Sequence, residues 1–168
     1  MIYLVVGLSG VGKTTYCQEA QNKLPDVSHI ALDDLIDSRL KDGHHWREFF
    51  EACKKRIRSL EKESGDKLFL IDIGAGFFKA APDCFDFIYN CPNAIAIFDE
   101  PKNIFERVKL RGYGPWRNST SAEYEKELIE EWRELFEKAA HRLDIVGCSE
   151  SEAKSRFLGL VRSLCTQK

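Results

Sequence analysis

The sequence predicts a three-layer α/β/α fold around a mostly parallel, five-stranded sheet. Strand-like and helix-like segments alternate along the 168 residues, and parallel strands need this order because each crossover between them usually holds a helix. The segment 2–6 is apolar at every position, as expected for a strand that is covered on both faces. The length fits one domain spanning 1–168.

Each element is predicted from a local pattern. Short apolar runs, several rich in β-branched residues, predict strands at 2–6, 29–32, 68–71, 94–98 and 143–146. Helical spacing of apolar residues, with start and stop signals, predicts helices at 13–24, 33–41, 46–63 and 105–111, a long one from Ser121, and a last one capped by Ser149 and ending at Leu164. Residues 77–92 fit neither pattern.

Composition restricts the kind of partner. The 25 basic and 27 acidic residues give a formal net charge of −2, so no broad contact with nucleic acid or an anionic membrane is expected. The apolar runs are shorter than the ~20 residues of a membrane helix. No basic residue precedes the apolar start, and the six cysteines form no Cys-x-x-Cys pair. We therefore expect a cytoplasmic protein with reduced thiols, monomeric or a small homo-oligomer.

A phosphate-binding loop is predicted at 7–14. The segment reads GLSGVGKT and matches G-x-x-x-x-G-K-[ST] directly after a strand and before a helix. Its glycines let backbone N–H groups surround a phosphate, and the helix adds the positive end of its dipole. The residues predicted to bind a nucleoside triphosphate are Gly7, Ser9, Gly10, Val11, Gly12, Lys13, Thr14, Thr15 and, beside the adenine, Arg107. The expected cofactors are ATP and Mg²⁺, with the preference between ATP and GTP left open.

Carboxylates follow two of the predicted strands. Asp33 and Asp34 follow the second strand, and either of them could cap the next helix. Asp72 ends the third strand and is predicted to hold Mg²⁺ together with Thr14. The alternative for Asp72 is a carboxylate satisfied by neighbouring backbone N–H groups.

A loop is predicted at 112–116, because the sequence GYGPW is typical of a loop. Arg111 and Arg117 flank this loop. One of them is expected to stabilise charge on the γ-phosphoryl group, beside Lys13. The alternative is that both are solvated surface arginines.

With these residues placed, the chain resembles the shikimate kinase branch of the small P-loop kinases. In the family's Asp-x-Asp pair, Asp33 matches the second Asp, and Ala31 stands where the first, metal-associated Asp is found. The family's second Asp lies next to the acceptor hydroxyl, so the resemblance implies that Asp33 orients or deprotonates this hydroxyl. The family's Gly-Gly-Gly turn resembles Gly74-Ala75-Gly76. Its lid motif Arg-Pro-Leu-Leu resembles 114–117, without the arginine before the proline, and this resemblance implies a lid over about 111–122.

The resemblance implies a small acceptor that binds in the region of about 33–63 and beyond. The residues it assigns to the acceptor are Asp33, Asp34, Arg58, Gly74, Ala75, Gly76 and Arg133. Arg58 matches the family's Phe-Arg-x-x-Glu loosely, with Arg47 an equal candidate, and Arg133 is one position from the matching place. A one-position shift on a helix turns a side chain by ~100°, so the acceptor need not be shikimate.

Three hypotheses remain. The favoured one is phosphoryl transfer from ATP to a hydroxyl of a small metabolite. A nucleoside or nucleotide kinase is the second, since 70–74 faintly resembles the strand-Asp-Gly of adenylate kinases. The third is an ATP-binding regulatory protein that has lost catalysis, because Ala31 replaces an acid and the arginines are displaced.

Overall fold

The computed structural model describes residues 1–8, 10–32, 46–63, 65–74, 93–111 and 136–166. The strands are β1 (Ile2–Val6), β2 (Val27–Ala31), β3 (Leu68–Asp72), β4 (Ala94–Phe98) and β5 (His141–Asp144). The helices are α1 (Lys13–Lys23), α2 (Trp46–Glu63), α3 (Pro101–Arg111) and α4 (Glu150–Cys165). Among these described elements no helix is both long and apolar enough to cross a lipid bilayer.

The strands form one parallel sheet in the order β2-β3-β1-β4-β5. In the centre, Leu4 of β1 lies opposite Ile71 of β3 and Ala94 of β4. All five residues of β1 are buried, as expected for a strand between two layers of helices. The predicted α/β/α fold with a five-stranded parallel sheet is confirmed.

Helices α1 and α4 pack together over the sheet. The Tyr16 ring of α1 lies 6.0 Å from the Phe157 ring of α4, centroid to centroid. Cys17 and Ala20 complete the inner face of α1, and both are fully buried. This contact holds the amino-terminal turn of α1 near the segment that leads from β5 into α4.

Two predicted strands are displaced by two residues at their starts. Strand β2 begins at Val27, because Val27 pairs with Leu68 and the Leu68 N–H donates to the Asp26 carbonyl at 2.9 Å. Strand β5 covers His141–Asp144 instead of 143–146. Val146 was therefore wrongly placed in a strand, since its N–H donates to the Asp144 side chain in a turn.

The helix boundaries depend on local capping. Helix α3 begins at Pro101, four residues before the predicted start at 105. Proline suits the first position of a helix because the N–H it lacks would have no partner there. At α4 the predicted cap is confirmed, as Ser149 and Glu152 exchange hydrogen bonds in a capping box.

Candidate nucleotide and metal site

The candidate site lies where the parallel strands end. Strand β1 continues into the loop 7–12, which then enters α1. Asp72 ends β3 on one side of β1, and Asp99 follows β4 on the other side. Ligands of open α/β sheets bind at this carboxyl edge.

The loop needs glycine at two described positions. A Cβ built on Gly7 would lie 2.8 Å from the Ile97 carbonyl oxygen. Gly12 has φ 104°, and a Cβ there would lie 2.7 Å from the Tyr16 ring. The loop therefore passes close to β4 and α1 with its backbone, where a side chain would force it away.

The start of α1 is suited to an anion. The residue before α1 is Gly12, which has no side chain that could cap the first turn, and this turn holds no acidic residue. Lys13 is only 8% exposed, and its ammonium donates to the Gly7 and Leu8 carbonyls at 2.8 and 3.1 Å. Positive charge and helix N–H groups thus meet at the predicted phosphate position.

Asp72 is a buried carboxylate beside this loop. Its Oδ2 lies 3.1 Å from Nε2 of His29, and it also accepts a hydrogen bond from the Thr14 hydroxyl. Burial opposes ionisation, but the hydrogen bonds from His29 and Thr14 and the charge of Lys13 outweigh it, so the pKa of Asp72 lies below its ordinary value. The group is therefore ionised at neutral pH.

The oxygen donors around Asp72 fit a magnesium ion. A carboxylate and a hydroxyl are hard ligands of the kind that Mg²⁺ prefers, and both lie at the mouth of the loop. Cys17 lies beneath them, and burial raises the pKa of its thiol well above the ordinary value, with the Asp72 charge adding to the shift. The thiol is thus neutral and does not compete as a charged ligand.

Asp99 has a different set of partners. Its Oδ1 accepts hydrogen bonds from the Glu100 N–H at 2.7 Å and the Asn103 amide at 3.1 Å. Its Oδ2 pairs with the Arg107 guanidinium, which also donates to the Gly10 and Val11 carbonyls at 3.3 Å each. Asp99 therefore connects the loop 7–12 to α3 through Arg107.

A pocket of about 230 Å³ opens beside the loop. Its walls are the loop and α1, Arg107, and residues between 145 and 153, which belong to the end of the connection from β5 and to the first turn of α4. Tyr16 lines it and is 4% exposed. Within the described part of the chain its hydroxyl makes no hydrogen bond, and burial raises its pKa, so it stays a neutral donor.

The structure brings together part of the sequence-based site. Gly7, Gly10, Val11, Gly12, Lys13, Thr14, Thr15, Asp72 and Arg107 surround the carboxyl edge. Gly74 follows two residues after Asp72. Arg58 lies on an exposed concave surface of α2 with Lys54, Lys55 and Lys62, and no described contact joins it to the loop. Arg111 ends α3.

The remaining predicted site residues are not among those that the structure describes. Ser9, Asp33, Asp34, Ala75, Gly76, Arg117 and Arg133 lie outside the described residues, as do most of the predicted lid, the helix at 33–41 and the start of the helix at Ser121.

Sequence reasoning missed three residues that the structure places at this edge. Asp99 could have been found, because an acid directly after a strand and before a proline-started helix lies at the carboxyl edge. Tyr16 follows the motif by two residues, but its spacing also fits a core position. His29 carried no signal, since nothing in the pattern of β2 shows which neighbour its side chain reaches.

Comparisons with known proteins identify the class of fold. No protein-family model matches the chain, and no curated protein matches its sequence. Solved structures do match. Shikimate kinase from Bacteroides thetaiotaomicron has a TM-score of 0.69 at 17% identity, with 98% of each chain covered.

Two further matches differ in their named role. Dephospho-CoA kinase from Campylobacter jejuni has a TM-score of 0.62 at 13% identity, covering 99% of this chain and 98% of the other. The tunicamycin resistance protein of Deinococcus radiodurans has a TM-score of 0.59 at 11% identity, covering 95% and 94%. The chain therefore has the fold of the small P-loop kinases, and this fold is similar to that of the shikimate kinases in particular.

Proposed function

We propose that this protein is a kinase that transfers the γ-phosphoryl group of ATP to a hydroxyl of a small metabolite, with Mg²⁺ as cofactor. The observation that carries the proposal is the junction of Lys13, Thr14 and Asp72 at the start of α1. A cation, a hydroxyl and an ionised carboxylate meet there on a fold that solved kinases share. Phosphoryl transfer depends mainly on such positioning and neutralisation of charge.

The nucleotide is proposed to lie along the loop. Lys13 and the N–H groups of the first turn of α1 bind the β- and γ-phosphates, aided by Thr15. The nucleoside occupies the pocket beside Arg107, which residues between 145 and 153 line on another side. Arg107 then has two tasks, since it lines this pocket and holds the loop carbonyls.

Thr14 and Asp72 are the residues proposed to hold the metal. When bound, Mg²⁺ neutralises the charge that develops on the phosphate oxygens. Thr14 supplies its hydroxyl oxygen and Asp72 a carboxylate that is already ionised and already hydrogen-bonded. The two side chains are held by β3 and α1, so their spacing depends on the sheet and not on a loop.

The acceptor is proposed to lie beyond β3. Asp33 orients or deprotonates its hydroxyl, and Arg111 or Arg117 closes over the γ-phosphoryl group from the lid at about 111–122. The other acceptor-binding residues in this proposal are Asp34, Arg58, Gly74, Ala75, Gly76 and Arg133. The named neighbours are kinases of different acceptors, so the fold alone does not choose among them. A single domain over 1–168 holds both sites in this proposal.

An assay of nucleoside diphosphate release (ADP from ATP, or GDP from GTP) tests the proposal. The purified protein is supplied with MgATP or MgGTP and a panel of hydroxylated acids, sugars, nucleosides and nucleotides. We expect one acceptor class to stimulate turnover, and Lys13→Ala to abolish it. Lys23→Ala is the matched control, because Lys23 is exposed and pairs with Glu19 at the far end of α1. Binding of ATP without stimulated turnover by any acceptor would favour the regulatory protein instead.

A further inference from the structure

The imidazole of His29 is the described β2 side chain that contacts Asp72. In the parallel register, His29 lies opposite Leu70 and Ala31 lies opposite Asp72. Side chains two apart on a strand share a face, so His29 and Ala31 both lie on the face of the sheet that carries Asp72. The imidazole extends along this face to the carboxylate and reaches it at 3.1 Å.

The pair is an interior feature of the molecule. The side chains of His29 and Asp72 are each only 8% exposed. A buried polar group costs free energy unless it is hydrogen-bonded, and a carboxylate can only accept, so Nε2–H of His29 is the donor. The contact is therefore directional, with one proton and one oxygen in a defined position.

The backbone of His29 is fixed to the helix that carries Thr14. Its N–H donates to the side-chain oxygen of Gln21 in α1 at 2.6 Å. One end of α1 thus contacts His29 through Gln21, and the other end contacts Asp72 through Thr14. The two side chains that hydrogen-bond the carboxylate, those of His29 and Thr14, therefore belong to one connected unit of β2, β3 and α1.

At the position of β2 that pairs with Asp72, the side chain is the methyl group of Ala31. No second carboxylate stands at that position, so Asp72 depends on its own neighbours for orientation. We propose that His29 is a positioning residue, which holds Oδ2 of Asp72 so that the carboxylate presents its free lone pairs to Mg²⁺ beside Thr14. This inference rests on the proposed metal site.

The physical basis is the support that hydrogen-bond donors give to metal-binding carboxylates. A donor on one oxygen limits rotation of the carboxylate, and removal of such a partner typically lowers metal affinity or activity by about 10–100-fold. His29 contacts neither the loop nor the nucleotide pocket in the described structure. Its loss should therefore weaken the response to Mg²⁺ and leave metal-free nucleotide binding intact.

The test measures ATP affinity by calorimetry, first with a chelator and then over a series of Mg²⁺ concentrations. For His29→Phe we expect the Mg²⁺ concentration of half-maximal effect to rise about tenfold or more. Affinity in chelator should change by less than about twofold, since that binding uses other groups. His141→Phe is the matched control, because His141 lies on the opposite edge strand and packs against the Tyr3 ring at 5.5 Å.

The conservative variant separates positioning from packing. His29→Gln places an amide N–H the same number of bonds from Cα as Nε2–H, and it should restore most of the Mg²⁺ response. His29→Asn is one bond shorter and should not. If His29→Phe does not fold, the Gln and Asn variants provide the same comparison.

Each contrary result has a distinct meaning. An unchanged Mg²⁺ response in folded His29→Phe, or in His29→Asn, would overturn the inference while leaving the metal site in place. If ATP affinity responds equally weakly to Mg²⁺ in the His29→Gln and His29→Asn variants, the role of the hydrogen-bond donor would be overturned. If ATP affinity of the unmodified protein does not respond to Mg²⁺, the proposed metal site fails first and the inference fails with it.

Discussion

Two buried aspartates flank the central strand, and their partners differ. Asp72 at the end of β3 is 6% exposed, and Asp99 after β4 is 2% exposed. Asp72 accepts hydrogen bonds from the His29 imidazole and the Thr14 hydroxyl. Asp99 is bonded to a guanidinium, an amide and a backbone N–H.

The difference in hydrogen-bond partners indicates that the two carboxylates have different roles. A hydroxyl donor can rotate and give its oxygen to a cation, so the partners of Asp72 leave room for a ligand. The N–H donors around Asp99 cannot exchange with a cation in this way, and Arg107 continues from Asp99 to the loop carbonyls. We therefore expect Asp72 to act on the reaction and Asp99 to maintain the shape of the loop.

The largest effect is expected from Asp72→Asn. Neutralising this carboxylate removes the charge of a proposed metal ligand, and metal stabilisation of transition-state charge is worth several kcal/mol, so turnover should fall by about 10²–10³-fold. The measurement is kcat at saturating MgATP and acceptor. Asp144→Asn, at an exposed position, is the control and should keep full activity. A drop of less than about fivefold would remove Asp72 from the metal site.

Asp99→Asn should mainly lower the free energy of unfolding, whereas Asp72→Asn mainly lowers turnover. The substitution leaves the partly exposed Arg107 without its ion pair, and breaking a buried pair costs about 3–5 kcal/mol. Arg107 is 35% exposed in its side chain, so solvent lowers the expected loss to about 2 kcal/mol in free energy of unfolding. Urea denaturation measures it.

A double-mutant cycle with Arg107→Met isolates the pair. The coupling energy between the two substitutions should account for most of the loss from Asp99→Asn. A coupling energy near zero would mean that Asp99 acts through Asn103 and Glu100 alone.

A smaller effect is expected at Tyr16, which lines the pocket beside the loop. Tyr16→Phe removes a buried hydroxyl donor from the pocket, and one hydrogen bond is worth about 0.5–1.5 kcal/mol, so ATP affinity should fall about two- to tenfold. Affinity for inorganic tripolyphosphate should not change, because that ligand lacks a nucleoside. Tyr3→Phe is the matched control, since Tyr3 is equally buried at the start of β1. Equal losses for both ligands would place the hydroxyl at the phosphates.

The smallest effect concerns acid stability. The folded pKa of Asp72 lies below its ordinary value of 3.8. A lowered carboxyl pKa adds stability that is fully present above the ordinary value and is lost as pH falls through the folded value. The stability difference between the unmodified protein and Asp72→Asn should therefore hold from pH 7 down to about 4 and shrink below it. A difference that is constant down to pH 2 would contradict the pKa shift.

The residues of the loop and Asp72 could be located at the candidate site from the sequence, whereas their surroundings could not. The loop at 7–14 is a local motif, and Asp72 follows from its place at the end of a strand. Both depend on neighbours in the chain. The bounds of β1, α2 and β4 also followed from local patterns, and the structure has them at the predicted residues.

The remaining features depend on contacts distant in sequence. His29 meets Asp72 across 43 residues, and Arg107 meets Gly10 across 97. The start of β2 at Val27 is likewise set by pairing with Leu68. Local propensity carries no information on such pairings, since register and diagonal contacts arise only when the sheet assembles.

The most direct test of the central claim is calorimetry of ATP binding with and without Mg²⁺ in the Asp72→Asn and Asp99→Asn variants. The two aspartates differ in their partners, and this difference predicts that Asp72→Asn loses the Mg²⁺-dependent gain in affinity while keeping its binding in chelator. Asp99→Asn should bind ATP more weakly in both conditions and keep the gain. Equal Mg²⁺ gains in the two variants would contradict the assignment of Asp72 to the metal.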